Sequence, residues 1–236
     1  HYIYIMKKIT LAILLISSTF SYSQERCATD MYSDLLEEKY PEYAVQRQKV
    51  NSQTKKWIKN NPIISNKTII TIPVVIHVVW NTNAENISDA QIFSQMDVLN
   101  DDFRRTNVDA INTPSVWQNI AADSEIDFCL ATTDPNGVAT TGITRTQTSQ
   151  TSFSINGSDM KSSSSGGIDP WDQDDYLNIW VCDLSGGILG YATPPSNFNN
   201  PQDGVVIGYK YFGTIGAVQS PYNKGRTATH EVGHWL

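Results

Sequence analysis

The longest apolar run in the body of the chain is Ile69 to Trp80, IITIPVVIHVVW. It is rich in β-branched residues and lacks polar alternation, so it predicts a central strand covered on both faces. Pro73 fits only near the start of such a strand. Ser88-Asp89-Ala90-Gln91 then opens a predicted helix. Ile92, Phe93, Met96, Leu99 and Phe103 follow at helical spacing and form a stripe that can lie on a sheet. Glu125 to Thr132 reads as a second strand, ended by the turn Asp134-Pro135-Asn136-Gly137. Thr144 to Gly167 is dominated by Ser, Thr, Gly and Asn, and is expected to be a long surface loop. Tyr176 to Asp183 predicts a third strand. Ile188 to Thr193 predicts a short fourth strand at a sheet edge, between Gly186-Gly187 and Pro194-Pro195. Gly204 to Tyr211 predicts a fifth strand, and Gly225 to Leu236 starts a helix. Strand, helix, four short strands and helix imply a layered α/β domain over residues 68–236.

Ahead of this domain the pattern changes. Met6-Lys7-Lys8 is a short positive region, Ile9 to Ile16 is apolar apart from one threonine, and Ser17 to Ser23 is mostly small and polar. That is the layout of a signal peptide over residues 6–23, with cleavage before Gln24, and it predicts a secreted, extracellular protein. The apolar run is well short of the ~20 residues that a membrane span needs. Residues 1–5 lie upstream of a natural start at Met6 and are expected to be read-through. Residues 24–67 are polar. Asp34 to Tyr40 and Tyr43 to Lys59 look helical, and Arg47, Lys49, Lys55, Lys56 and Lys59 make the second of these basic. Such a run reads either as a solvated face or as a detachable pro-segment with a protease-sensitive linker before Asn60-Asn61-Pro62.

Composition narrows the function. The chain has 236 residues, 40% of them hydrophobic, enough for one buried core. The net charge of -7 disfavours a nucleic-acid partner, which normally meets a basic face. Export permits disulfides, but three cysteines, Cys27, Cys129 and Cys182, leave at least one thiol unpaired.

The candidate chemistry sits at residues 229 to 236, THEVGHWL. His230 and His234 are four apart, so a helix places both imidazoles on one face, able to grip one metal ion. Glu231 lies beside them, in reach of water acidified by zinc, and can take its proton as it attacks a peptide carbonyl. The chain has four histidines and two are here. A catalytic zinc site needs three protein ligands and an open position. His1 lies in the leader, and His77 lies in the first strand, where a lone histidine is usually structural. The third ligand is therefore expected beyond Leu236. A glutamate there would place the chain in another peptidase clan. A third reading is a non-catalytic binding module on the same scaffold, against which the intact His230, Glu231 and His234 argue.

NKGRTATHEVGHWL (223–236) resembles the pappalysin family of metzincin metallopeptidases, in particular its secreted bacterial members. The resemblance continues through GILGYATPP (187–195), YLNIWVC (176–182), SSSGG (163–167), IDFCLATTDPNG (126–137), QMDVLNDDFRRTN (95–107) and IPVVIHVV (72–79). It implies a zincin-like N-terminal subdomain: a twisted mixed five-stranded sheet with an antiparallel edge strand, a backing helix and the active-site helix. It implies a zinc endopeptidase acting on proteins or peptides. It also implies that the edge strand Leu189, Gly190, Tyr191 and Ala192 is the upper rim of the substrate cleft, to which an extended peptide adds antiparallel. Arg26-Cys27-Ala28-Thr29 resembles the family's latency switch, with Ala28 where glycine is commoner, and implies Cys27 as a zinc ligand in the precursor. Calcium is an expectation of the family without assigned residues. Its sheet also places the strands of Cys129 and Cys182 on either side of the first strand, too far apart to bond.

Overall fold

The computed structural model describes residues 26–61, 68–200 and 202–236. The expected leader lies outside the described residues. Two helices come first, α1 (Thr29–Lys39) and α2 (Pro41–Asn60). Tyr43 is the residue that α2 buries, and residues 51–60 are exposed throughout, so its basic run is a solvated face.

Strand β1 (Ile70–Trp80) is the axis of a mixed sheet. Its first half pairs in parallel with β2 (Ile126–Leu130), from Ile70 opposite Ile126 to Val74 opposite Leu130. Its other side pairs in parallel with β4 (Leu177–Cys182), with His77 opposite Trp180. Next come β6 (Val205–Gly208), parallel to β4, and β5 (Gly190–Ala192), antiparallel to β6. The order is β2-β1-β4-β6-β5, with a sixth strand, β3, also on β1.

That sixth strand corrects the sequence reading. Ile143–Gln147, whose last four residues were expected to open the long loop, forms β3 and pairs in parallel with the second half of β1, from Ile76 opposite Ile143 to Trp80 opposite Gln147. The strand β1 has 11 residues and β2 only 5, so the upper half of that edge is open to a second partner. The sequence ITRTQ supplies β-branched residues for it, within a Ser/Thr-rich stretch that masks them. Ala131 N–H donates to Val74 and Ile76 N–H donates to Gly142 where one partner gives way to the other. Gly142 has φ +71°, and a Cβ there would stand 2.7 Å from the backbone nitrogen of Ala131. Glycine is the residue that fits this position.

The sheet buries two faces. On one, Val74, Ile76 and Val78 meet Leu177, Ile179 and Val181 under α3 (Asp89–Phe103) and α4 (Arg226–Trp235). On the other, Val79, Trp180, Cys182, Tyr191 and Val206 pack with Phe153, Ile155 and Met160 of the Ser-rich loop and with Ala28, Tyr32, Leu36 and Tyr43. That loop is thus partly core, held by its few apolar side chains. Cys27, Cys129 and Cys182 are free thiols, and β2 and β4 do lie on opposite sides of β1.

The face of α3 also differs from expectation. Ile92, Met96 and Leu99 are buried, but Phe93 is 50% exposed, and Gln91 and Gln95 are buried in its place. The neighbouring segment 209–225 presents backbone groups, which need polar partners. The Gln91 amide donates to Tyr209 and Phe212 carbonyls and accepts from Ala217 N–H. The Gln95 amide donates to the Gly225 carbonyl at 3.0 Å and accepts from Gly213 N–H at 2.6 Å. Gln95→Leu keeps the volume but orphans both backbone groups, which costs about 3 kcal/mol. A fall of roughly 10 °C in thermal midpoint is expected by calorimetry. An unchanged midpoint would refute this role.

Candidate metal and peptide site

Helix α4 is preceded by its N-cap Gly225, φ +69°, where a Cβ would press on Val98 at 3.0 Å. Ala228 and Val232 face the core, so the opposite side of the helix is exposed. His230 and His234 stand there one turn apart, their Nε2 atoms 3.1 Å from each other. Polar anchors hold the helix from both ends. Asp102 of α3 accepts from Thr229 Oγ1 at 2.7 Å and pairs with Arg226 Nε at 3.1 Å. Trp235 Nε1 donates to Asp203 at 2.9 Å.

Cys27 comes to the same place although it is 204 residues from Glu231 and 207 from His234 in sequence. Its Sγ lies 3.5 Å from His234 Nε2 and 3.4 Å from Glu231 Oε2. One ligand atom from each of Cys27, His230, Glu231 and His234 falls within 4.8 Å of the others. The donor set fits zinc in kind, two imidazoles and a thiol. A tetrahedral ion with bonds of about 2.1 and 2.3 Å has ligand-to-ligand edges of roughly 3.4 to 3.7 Å; the 3.5 Å from Cys27 Sγ to His234 Nε2 lies in that range, and the two imidazoles, at 3.1 Å, would part slightly to take the ion.

Glu231 is 1% exposed. Burial pushes its carboxyl above the usual range, opposed by hydrogen bonds from Thr29 and Cys27 and by His230. Burial also raises the Cys27 thiol, opposed by Thr29. Thr29 had no place in the sequence reading beyond the string Arg-Cys-Ala-Thr. Its Oγ1 donates to Glu231 at 2.8 Å and accepts from Ala192 N–H at 3.0 Å. It thereby ties the acidic residue of α4 to the edge strand.

Leu189, Gly190, Tyr191 and Ala192, expected as a substrate rim, lie in and beside β5 at the outer edge of the sheet. The edge is not free. Leu189 N–H donates to Arg26, Ala28 N–H donates to Gly190, and Cys27 pairs with Gly190 in parallel. Residues 26–29 thus lie along β5 in the direction opposite to the one expected for a substrate. Beside them a cavity of about 340 Å³ is lined by Arg26, Leu189, Tyr222, Thr227 and Glu231 among others. The Arg26 guanidinium sits 4.9 Å from the Tyr222 ring centroid.

His77, the remaining described histidine, is structural. It is fully buried and bonds Thr144 Oγ1 at 2.7 Å and Asn178 Oδ1 at 3.0 Å. Burial pushes its pKa down to about 4, so it stays neutral near pH 7.

No family profile matches the chain. Among curated proteins it is similar to an extracellular metalloprotease of Pyricularia oryzae, 28% identical over 184 residues. That match covers 75% of this chain, which spans about half, 53%, of the relative. An extracellular metalloprotease of Podospora anserina is 40% identical over 65 residues, 25% of this chain and 22% of the relative. Among solved structures, mirolysin in complex with compound 9 is 57% identical with a TM-score of 0.69, covering 72% of this chain and 63% of that one. A promirolysin variant from Tannerella forsythia is 47% identical with a TM-score of 0.77, covering 89% of this chain and 68% of its own. With that identity over more than two thirds of promirolysin, the chain belongs to the metallopeptidase family that includes mirolysin.

Proposed function

We propose that the chain is the N-terminal part of a secreted zinc endopeptidase precursor of pappalysin type. Residues 24–67 are its pro-segment and residues 68–236 the N-terminal subdomain of its catalytic domain. His230 and His234 are two of the zinc ligands, Glu231 is the general base, and Cys27 keeps the precursor latent. Zinc held there supplies a Lewis acid that makes water a usable nucleophile near neutral pH and polarises a carbonyl.

The chain's own residues do the rest. The edge of β5 offers the Ala192 N–H and the Gly190 carbonyl, groups that residues 28 and 29 now occupy. Once those residues leave, an extended peptide binds them by strand addition. Glu231 loses the Thr29 and Cys27 partners that now occupy its Oε2, and is free to accept a proton. In the precursor the thiol of Cys27 fills the position between His234 and Glu231 where water must stand.

The observation that carries this reading is the convergence of Cys27, His230, Glu231 and His234 on one point at the rim of β5. The similarity supports it: the pro-form of mirolysin matches over 89% of the chain, against 72% for mature mirolysin. The names of the relatives support an extracellular location. No helix among the described residues is long and apolar enough to cross a membrane.

The full-length polypeptide, purified and freed of its pro-segment, should carry about one zinc ion per chain by elemental analysis. It should cleave a denatured protein, lose that activity to a chelator and regain it with added zinc. His234→Ala should lower the zinc content at least about tenfold. A matured wild-type protein without bound transition metal would refute the proposal.

A further inference from the structure

Tyr32 of α1 is 1% exposed, although it belongs to the pro-segment. Its ring and hydroxyl meet groups of the catalytic domain. The ring lies 4.6 Å from that of Tyr191, tilted by 49°. The Lys161 ammonium donates to the Tyr32 hydroxyl at 3.3 Å and stands 4.7 Å from the centre of its ring. The Ser158 and Thr193 hydroxyls also face the phenol.

Lys161 is an expensive residue to place here. It is 2% exposed, and burial pushes its ammonium well below the usual range, opposed by Asp203. The Gln202 carbonyl at 2.6 Å and the faces of Trp180 and Tyr191, 5.0 and 5.2 Å away, offset part of the cost. An apolar side chain would fill the same volume with less desolvation. A ring-shaped slot with a cation and hydroxyls at its end has the chemistry of a phenol-binding socket.

The socket adjoins the cleft. Tyr191 lies on β5 between Gly190, whose carbonyl accepts from Ala28 N–H, and Ala192, whose N–H donates to the Thr29 hydroxyl. A peptide antiparallel to β5 has its upstream residues at the Ala192 and Thr193 end, and Thr193 is one of the residues whose hydroxyl faces the phenol. Loss of the pro-segment empties it. We propose that this socket is a substrate subsite of the matured enzyme, upstream of the scissile bond, which takes a tyrosine side chain. The assignment rests on the peptidase reading above.

The test has two arms on the full-length protein. In the first, the acylation rate of the Lys161 amine by a water-soluble ester is read by mass spectrometry. It should rise at least about tenfold on maturation, and a tyrosine-bearing peptide should reverse the rise where its alanine analogue does not. In the second, peptides with Tyr, Phe or Ala at each of several upstream positions are compared by kcat/KM. At one position Tyr should exceed Phe, and Phe exceed Ala, by about tenfold each, because a site built to bond a hydroxyl disfavours the analogue lacking it. Lys161→Met should bring the Tyr to Phe ratio near unity. The peptide series uses the wild-type protein, so a variant that fails to fold does not decide the matter. An active enzyme indifferent to Tyr at every upstream position, or a Lys161 that stays unreactive after maturation, overturns the socket. Protection of Lys161 by the tyrosine peptide without any hydrolysis overturns the peptidase reading instead.

Discussion

Glu231→Ala in the full-length, matured protein should lower peptide hydrolysis by about a hundred- to ten-thousand-fold, the range for loss of a general base, while zinc stays bound. The side chain is buried at the junction of α4 and β5, beside two imidazoles that approach each other directly. Its removal leaves His230 and His234 intact, so metal content and catalysis should separate. Glu231→Gln keeps the shape and the hydrogen-bonding capacity of one oxygen but cannot take a proton, and should be as inactive. Paired measurements of zinc by elemental analysis and of kcat/KM on a fluorogenic peptide decide the point. Hydrolysis at wild-type rate in either variant would remove Glu231 from the chemistry.

The parts of this molecule legible in the sequence are those set by short-range patterns. The apolar run of β1, the 3.6-residue spacing of Ile92, Met96 and Leu99, and the four-residue interval of His230 and His234 each act within one element. The edge position of Leu189 to Ala192 was also legible, because glycines and prolines bracket it. What escaped depends on distant partners. The pairing of β3 exists because β1 outruns β2, a fact about another segment. Gln95 takes a core position because Gly213 and Gly225 approach from 118 and 130 residues away. The bond from Thr29 to Glu231 spans 202 residues. The family resemblance supplied a long-range link that composition and spacing do not contain, Cys27 against helix α4.

That link yields the second large effect. Cys27→Ala in the intact precursor should release activity before the pro-segment is cut. The thiol stands 3.5 Å from His234 Nε2, and no methyl group can replace it as a metal ligand. Release should be incomplete, because three further attachments survive the change: the backbone bonds to Leu189 and Gly190, the Thr29 bridge between Glu231 and Ala192, and the buried ring of Tyr32. A rise of at least about tenfold over the wild-type precursor is expected, which corresponds to the loss of about 1.4 kcal/mol of net contact. Adding Thr29→Val should raise it further, since it frees the Glu231 carboxylate and the Ala192 N–H together. The reading needs an assay of freshly purified precursor on a peptide substrate, with mass spectrometry to show that the pro-segment is still attached. If Cys27→Ala stays as silent as wild type while Thr29→Val gains activity, latency resides in the covered edge of β5 and the thiol is incidental. If both variants remain silent until cleavage, the pro-segment blocks the cleft by bulk alone, and Cys27 has no part in it.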